Sequence, residues 1–259
     1  NYEKSLHSLR DYQKRHPNDL ACLNYLAITL LQQEMNRQGL LERFLFGPSQ
    51  QNIKKQKFKV YESLRNEFLR IINSAREISI NRITKNPRDL DAQYWLGVNR
   101  ATLATFRISL QKSLLGALKA FNSSRRLHEK LINQDETFID AQLYPGAHKY
   151  IMGNLPWYVK TLSSFSGFSG NKKRGLLMVK EVSQKGTLAR EEAKFMMVSF
   201  YGRENLFRER LRLLQELSNS HPQNYLIFIG LAKTNKFLGD IKGALKAYES
   251  LLELQKKED

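Results

Sequence analysis

The sequence predicts an all-α fold in which helical hairpins repeat along the chain, and three observations support this prediction. Apolar and small residues recur at a spacing of 34 residues near the end of the chain, and the matching pairs are Met197 with Leu231, Val198 with Ala232, Asn205 with Gly239, and Leu217 with Leu251. Gly and Pro are sparse and stand between the helical segments. No run alternates apolar and polar residues as a half-buried β-strand does.

The last two hairpins, residues 191–258, follow this period most regularly. Gly239 suits the left-handed position that ends a helix, and the small side chains of Ala232 and Ala244 allow two helices to cross closely. Pro222 stands between the two hairpins. Because a single hairpin cannot bury its own apolar stripe, several hairpins must stack.

Three earlier, enlarged hairpins are predicted over residues 18–87, 88–135 and 136–190. Pro-x-Asp-Leu begins at Pro17 and again at Pro87, and Asp-Ala-Gln begins at Asp91 and again at Asp140. We place Ala27, Gly97, Gly146, Val198 and Ala232 where the first helix of each hairpin crosses the second. A repeat array has one continuous core, so residues 1–259 are interpreted as a single domain.

Two segments depart from the plain repeat. A long amphipathic helix is predicted from near Gln51 almost to Pro87. An extra short helix is predicted between Gly153 and Gly170, inside the hairpin of residues 136–190. It carries Trp157 and Tyr158, which are candidates for docking a partner helix.

The repeat resembles the tetratricopeptide repeat in its period and its residue types. The residues that carry this resemblance are Phe228, Leu231, Ala232, Gly239, Asp240, Ala244 and Tyr248. Leu-Pro-Trp and the following Gly-Phe-x-Gly resemble a subgroup of bacterial repeat proteins of unassigned role and, less closely, a eukaryotic tetratricopeptide-like family linked to mitochondrial outer-membrane and inclusion-clearance work. The resemblance implies a right-handed α-α superhelix of about five hairpins that binds proteins or peptides.

By this resemblance, the first helix of each hairpin lines a concave binding groove. The implied groove residues are Asn24, Ile28, Leu31, Tyr94, Val98, Leu143, Ala147, Tyr150, Phe195, Ser199, Ile229, Lys233 and Lys236. The Asn and Lys set that clamps a peptide carboxylate in chaperone-binding members is not reproduced, so an apolar and aromatic groove with a basic end is expected. Tyr94, Trp95 and Tyr144 have a second interpretation as core residues between repeats.

The sequence contains no recognisable catalytic or metal-binding constellation. The five histidines are scattered, and none has the spacing of a metal-binding pair. His128 is predicted on a solvated helix face, and His148 is predicted to be packed or hydrogen-bonded. No phosphate-binding loop or nucleophile elbow is present. We therefore expect a non-enzymatic protein without a metal, a cofactor or a small-molecule substrate.

The chain is strongly basic, with 42 Lys and Arg residues against 25 Asp and Glu residues and a formal net charge of +17. This charge favours a second hypothesis, in which the protein is a basic adaptor for nucleic acid or an anionic membrane surface. The densest cluster, at Lys54, Lys55, Lys57 and Lys59, spreads around a helix, and it is interleaved with one aromatic residue, Phe58, and not with the successive aromatic residues of a single-strand binder. A peptide-binding scaffold is therefore the first hypothesis. A single continuous basic patch on the folded surface would favour the adaptor.

The sequence gives few indications of compartment. No apolar run approaches the roughly 20 residues of a membrane span, so a soluble protein is expected. The segment from Tyr2 has the pattern of the second helix of a hairpin, so we expect residues upstream of it, and a removed signal peptide is one option among them. Cys22 lies in an apolar helical stretch and is predicted to pack as a small apolar side chain.

Overall fold

The computed structural model describes residues 2–47, 60–154 and 170–256. All regular secondary structure in these residues is helical, which confirms the predicted all-α class. A 3₁₀ turn, Ile139–Gln142, directly precedes the helix that begins at Leu143. The α-helices are α1 (Tyr2–Arg15), α2 (Leu20–Arg37), α3 (Leu40–Phe46), α4 (Glu62–Lys85), α5 (Leu90–Ser109), α6 (Leu114–Gln134), α7 (Leu143–Gly153), α8 (Lys172–Lys185), α9 (Arg190–Arg203), α10 (Phe207–Ser220), α11 (Tyr225–Leu238) and α12 (Ile241–Lys256).

The helices form two compact units. The first unit comprises the described residues of 1–40 and 55–189, and the second comprises the described residues of 41–54 and 190–259. In the first unit α2 packs on α4, α5 on α6, and α7 on α8; in the second unit α9 packs on α10, and α11 on α12. Each of these pairs lies within one of the expected hairpins, whose bounds stay a prediction. The single-domain count stays a prediction.

The repeated Pro-x-Asp-Leu sequence gives the same helix start twice. The side chain of Asp19 accepts a hydrogen bond of 2.7 Å from the backbone N–H of Cys22, and Asp89 accepts one of 2.9 Å from Ala92. Each aspartate satisfies one of the free N–H groups at a helix start, which contributes about 1 kcal/mol. Asn224 caps α11 in the same way. The earlier copies of the repeat therefore share their local structure with the last copy.

The 34-residue period is visible in the backbone after α9 and α11. Gly239 follows α11 with a φ of +77°, and Asn205, which stands 34 residues earlier, has a φ of +58°. Both values are left-handed, a conformation that Gly adopts without strain and Asn tolerates better than most residues. The predicted left-handed position of Gly239 is confirmed. The matched pair Val198 and Ala232 is fully buried in the second unit.

Glycines lie at two of the predicted helix crossings. A Cβ at Gly97 in α5 would overlap the ring of His128 in α6. A Cβ at Gly146 in α7 would lie 2.8 Å from the Cβ of Met178 in α8. From the other side of this crossing, a Cβ at Gly175 would lie 2.5 Å from the carbonyl oxygen of Gly146. The helices are therefore too close at both crossings for larger residues.

The long helix predicted from near Gln51 is not continuous. Val60 and Tyr61 are not helical, and α4 begins at Glu62. Tyr61 has extended backbone angles, and its ring lies 4.5 Å from the guanidinium carbon of Arg37 at the end of α2. This cation–π contact ties the start of α4 to α2. Residues 48–59, with the predicted first turns and the lysine cluster, lie outside the described residues.

The prediction that His128 lies on a solvated face is wrong. Its side chain is fully buried and contacts the rings of Tyr94 and Tyr144. The Nδ1–H group donates to the carbonyl oxygen of Ser124 at 2.9 Å, and the Ser124 hydroxyl donates to the carbonyl oxygen of Gly97 at 2.8 Å. Polar neighbours in sequence concealed this burial, because the space for the ring is provided by Gly97 on another helix. Burial lowers the pKa of His128 to about 4.

Candidate peptide-binding groove

The candidate site lies in the second unit, where α9, α10 and α11 all contact the short helix α3. Ser199 on α9, Arg210 on α10, and Gly230 and Lys233 on α11 contribute to this contact. Ser199 and Lys233 are two of the groove residues implied by the tetratricopeptide resemblance. We call the surface formed by these four residues the α3 groove.

Two side chains of the α3 groove bind the main chain of α3. The Ser199 hydroxyl donates to the carbonyl oxygen of Phe44 at 3.1 Å, and Nη2 of Arg210 donates to that of Leu45 at 3.2 Å. Both acceptors lie in the last turn of α3, where carbonyl groups have no partner within the helix. The hydrogen bonds therefore hold the backbone of the segment whatever side chains stand at these two positions.

An ion pair joins the start of α3 to α11. Nζ of Lys233 lies 2.6 Å from Oε1 of Glu42, and the two side chains are 36% and 40% exposed. An ion pair with this exposure contributes at most about 1 kcal/mol. We therefore assign it a role in setting the register of the segment, with a smaller part in its affinity.

The ring of Phe46 is the apolar anchor of α3. A Cβ at Gly230 would lie 2.6 Å from Cε1 of this ring, so the missing side chain of the glycine makes room for it. The guanidinium carbon of Arg210 lies 5.0 Å from the ring centroid, which is a cation–π distance. The ring also packs against the buried cluster formed by Val198, Leu214, Leu217 and Ile227.

Arg210 is a buried cation whose contacts in the groove are electron-rich but uncharged. Burial lowers its pKa to about 10, and its Nε atom has no hydrogen-bond partner in the described part of the chain. Its guanidinium group fits beside Gly202 on α9, where a Cβ would lie 2.7 Å from Nη1. A buried charge is unfavourable unless acceptors surround it. The carbonyl oxygen of Leu45 and the ring of Phe46 supply that environment.

Most of the other predicted groove residues are buried. Tyr94 packs edge-on against Trp95 and Phe138, and the side-chain amide of Asn24 donates to the carbonyl oxygen of Leu20. These contacts agree with the second interpretation, in which the aromatic residues belong to the core. The buried members of the set are Asn24, Leu31, Tyr94, Val98, Leu143, Ala147, Tyr150 and Ser199, whereas Ile28, Phe195, Ile229 and Lys233 are partly exposed and Lys236 is exposed.

The predicted docking residues Trp157 and Tyr158 lie outside the described residues, as do all residues from 155 to 169. The two ends of this segment are described, and they meet. A Cβ at Gly170 would lie 2.7 Å from the Cα of Gly153, and Asn171 then caps α8 by accepting a hydrogen bond from the backbone. The described residues on either side of the segment therefore lie in contact between α7 and α8, where the sequence predicts an insert.

The sequence pattern does not predict that Arg210, Gly230 and α3 are parts of a candidate site. The residues that contact α3 are separated from it in the sequence by 155 to 191 positions. Hydrophobic periodicity relates only residues that are neighbours along one helix. One signal was present in the sequence. A glycine inside a helix costs about 1 kcal/mol relative to alanine, so Gly230 inside the apolar run of α11 indicates a close contact.

No family model matches the chain, and no curated protein is similar to it. Residues 2–47, 60–154 and 170–256 contain no group of three or more His, Cys, Asp or Glu side chains that could hold a metal ion. No helix among them is long and apolar enough to span a lipid bilayer.

Proposed function

We propose that the protein is a non-enzymatic scaffold of the tetratricopeptide type that binds a peptide segment in the α3 groove. The observation that carries this proposal is the way in which three helices hold α3. Two hydrogen bonds to main-chain carbonyls, one ion pair and one aromatic pocket are the elements by which a groove recognises a helical peptide. The 34-residue repeat of α9 to α12 supports the tetratricopeptide superhelix as the architecture.

In this proposal α3 is an intramolecular ligand that a partner displaces. An isolated helix of seven residues is not stable in water, so α3 depends on the groove for its structure. Because α3 belongs to the same chain, a partner must overcome its effective concentration, which is on the order of 1 mM for a segment on a short flexible tether. A partner therefore binds more weakly to the intact chain than to a chain whose own segment has been released.

The contacts of α3 define the chemistry of the proposed partner. Glu42 and Phe46 are four residues apart, so they lie on one face of the helix. In the groove, Lys233 pairs with the carboxylate of Glu42, and the ring of Phe46 occupies the space beside Gly230. Arg43, between them, is exposed. We propose a short helical segment that has an acidic residue four positions before an aromatic residue.

An array of immobilised peptides derived from residues 38–47, with each position replaced in turn, tests this specificity. The probe is the full chain carrying Glu42→Ala and Phe46→Ala, which releases α3; its fold is checked by circular dichroism. We expect binding to be lost when the aromatic position is replaced, to be weakened when the acidic position is replaced, and to be retained when the arginine position is replaced. Binding that ignores the aromatic position would contradict the proposal.

A matched pair of lysine variants of the probe locates the binding to the α3 groove. Lys233→Glu reverses the charge that meets Glu42, whereas Lys236→Glu reverses an exposed charge one turn further along α11. We expect the first variant to lose array binding and the second to retain it. If Glu42→Ala with Phe46→Ala does not fold, Phe46→Ala alone, which removes the anchor ring, serves as the released chain. Equal effects of the two lysine variants would show that net charge, and not the groove, determines the binding.

One observation favours the second hypothesis, a basic adaptor. Arg100 on α5 is partly buried, and its pKa is lowered first by burial and then by the charges of Arg76 on α4 and Arg107 on α5. Three arginines whose charges repel would be stabilised by a phosphate group. Binding of a labelled oligonucleotide and of anionic vesicles, with Arg100→Gln compared with the exposed control Lys119→Gln, tests this hypothesis. The adaptor hypothesis fails if the two variants bind alike.

A further inference from the structure

The last helix, α12, carries a stripe of large apolar side chains that are exposed. Ile241, Leu245, Tyr248 and Leu252 are 59%, 57%, 46% and 60% exposed. Their spacing of four, three and four residues places them on a single face, in the pattern of a coiled-coil seam. The other face of α12 buries Ala244 and Ala247, and α12 packs on α11. A continuous exposed stripe of this kind is characteristic of an interaction surface.

The charges beside the stripe are divided along the helix. Lys242 and Lys246 stand in its first half, Glu249 and Glu253 stand in its second half, and Lys256 follows at its end. The first four of these side chains are exposed, and none has an ion-pair partner in the described ranges of the chain. A helix with this arrangement is complementary to a second copy of itself that runs in the opposite direction.

We propose that α12 binds α12 of a second copy of the chain in an antiparallel, two-fold symmetric pair. In one register Ile241 meets Leu252 of the second copy, and Leu245 meets its Tyr248. The same register brings Lys242 close to Glu249 of the second copy, and the symmetry makes each contact twice. A parallel pair in register would not bring Lys242 close to Glu249 of the second copy, because residues on the same edge of the seam then lie on opposite sides of the pair. The charges therefore specify the direction of the pair as well as the partner.

This surface is independent of the α3 groove. None of the residues that hold α3 belongs to α12, since they lie on α9, α10 and α11. The pair would therefore present two α3 grooves, which increases the avidity for a partner that carries two binding segments.

Sedimentation equilibrium of the full chain, over concentrations up to about 100 μM, tests the pairing. We expect a reversible dimer, and we expect Leu245→Glu to weaken it at least about tenfold. The matched control is Leu177→Glu, which places the same change at a leucine of α8 that is 58% exposed. A wild-type chain that stays monomeric throughout, or a dimer that Leu245→Glu leaves unchanged, would overturn the proposal.

A charge exchange tests the antiparallel direction. Lys242→Glu with Lys246→Glu places a glutamate opposite Glu249 of the second copy and is expected to abolish the dimer. Adding Glu249→Lys and Glu253→Lys to the same chain restores antiparallel complementarity and is expected to restore the dimer. In a parallel pair these charges do not meet across the seam, so failure of rescue would refute the antiparallel arrangement. All four positions are exposed, and circular dichroism confirms that each variant is folded.

Discussion

The imidazole ring of His128 occupies the space that Gly97 leaves on the neighbouring helix, and this pair shows how single residues set the approach of α5 and α6. The ring is fully buried, so it stays neutral in the folded protein down to a pH of about 4. In the second unit, Arg210 is a buried residue that carries a charge, and acceptors from α3 offset its burial. In both cases a glycine on the facing helix provides the room.

The buried His128 predicts a specific dependence of stability on pH. Its folded pKa of about 4 lies below the unfolded value of about 6.5, so the unfolded chain binds more protons between these values. The stabilisation is complete above the unfolded pKa and is lost as the pH falls from about 6.5 to about 4. Between pH 7 and pH 4.5 we expect the wild type to lose roughly 2 kcal/mol more than His128→Gln in urea unfolding. Equal losses would show that the ring is accessible to protons in the folded chain.

A double-mutant cycle tests the contact between Gly97 and His128. Gly97→Ala alone is expected to destabilise the protein, because the new Cβ would overlap a ring that cannot move in a packed core. In the His128→Ala background the same change has space, and the higher helix propensity of alanine is then worth up to about 1 kcal/mol of stabilisation. The measurement is the free energy of unfolding of the four chains. An additive cycle would mean that the two residues do not touch.

At the scale of helices, the sequence predicts elements that follow from local pattern and misses contacts between distant segments. The starts of α2 and α5 follow from their aspartate caps, and the end of α11 follows from Gly239. The break at Val60 and Tyr61 was missed because the apolar period continues through it, while the cation–π contact with Arg37 depends on the tertiary fold. The docking of α3 was missed for the same reason.

The meeting of Gly153 and Gly170 predicts that the segment between them can be shortened. Replacing residues 155–169 by two glycines is expected to leave the packing of α7 on α8 intact, since the ends already lie in contact. Thermal unfolding should therefore change by no more than a surface substitution does, about 0.5 kcal/mol. If Trp157 and Tyr158 bind a partner as the sequence predicts, the shortened chain loses partner capture. A shortened chain that fails to fold would assign the segment to the core.

At the scale of the whole molecule, the helical class follows from composition and period, whereas the site does not. The 34-residue repeat could be predicted because small and apolar residues recur at that spacing along the chain. Most of the implied groove residues are buried. Their burial was not predicted, because a general groove pattern does not distinguish a lining position from a core position. Ser199 and Lys233 both contact α3, a segment that was not foreseen, and their place in a binding groove stays a prediction.

The most direct test of the central claim is the affinity of a fluorescent peptide of residues 38–47 for the full chain, measured by anisotropy. We predict that the chain carrying Glu42→Ala and Phe46→Ala binds the peptide at least about tenfold more tightly than the wild type, because the tethered segment competes at a concentration on the order of 1 mM. Adding Lys233→Glu to the released chain should abolish this gain, and adding Lys236→Glu should not. Equal affinities of the wild-type and released chains would contradict the claim that α3 occupies a peptide-binding groove.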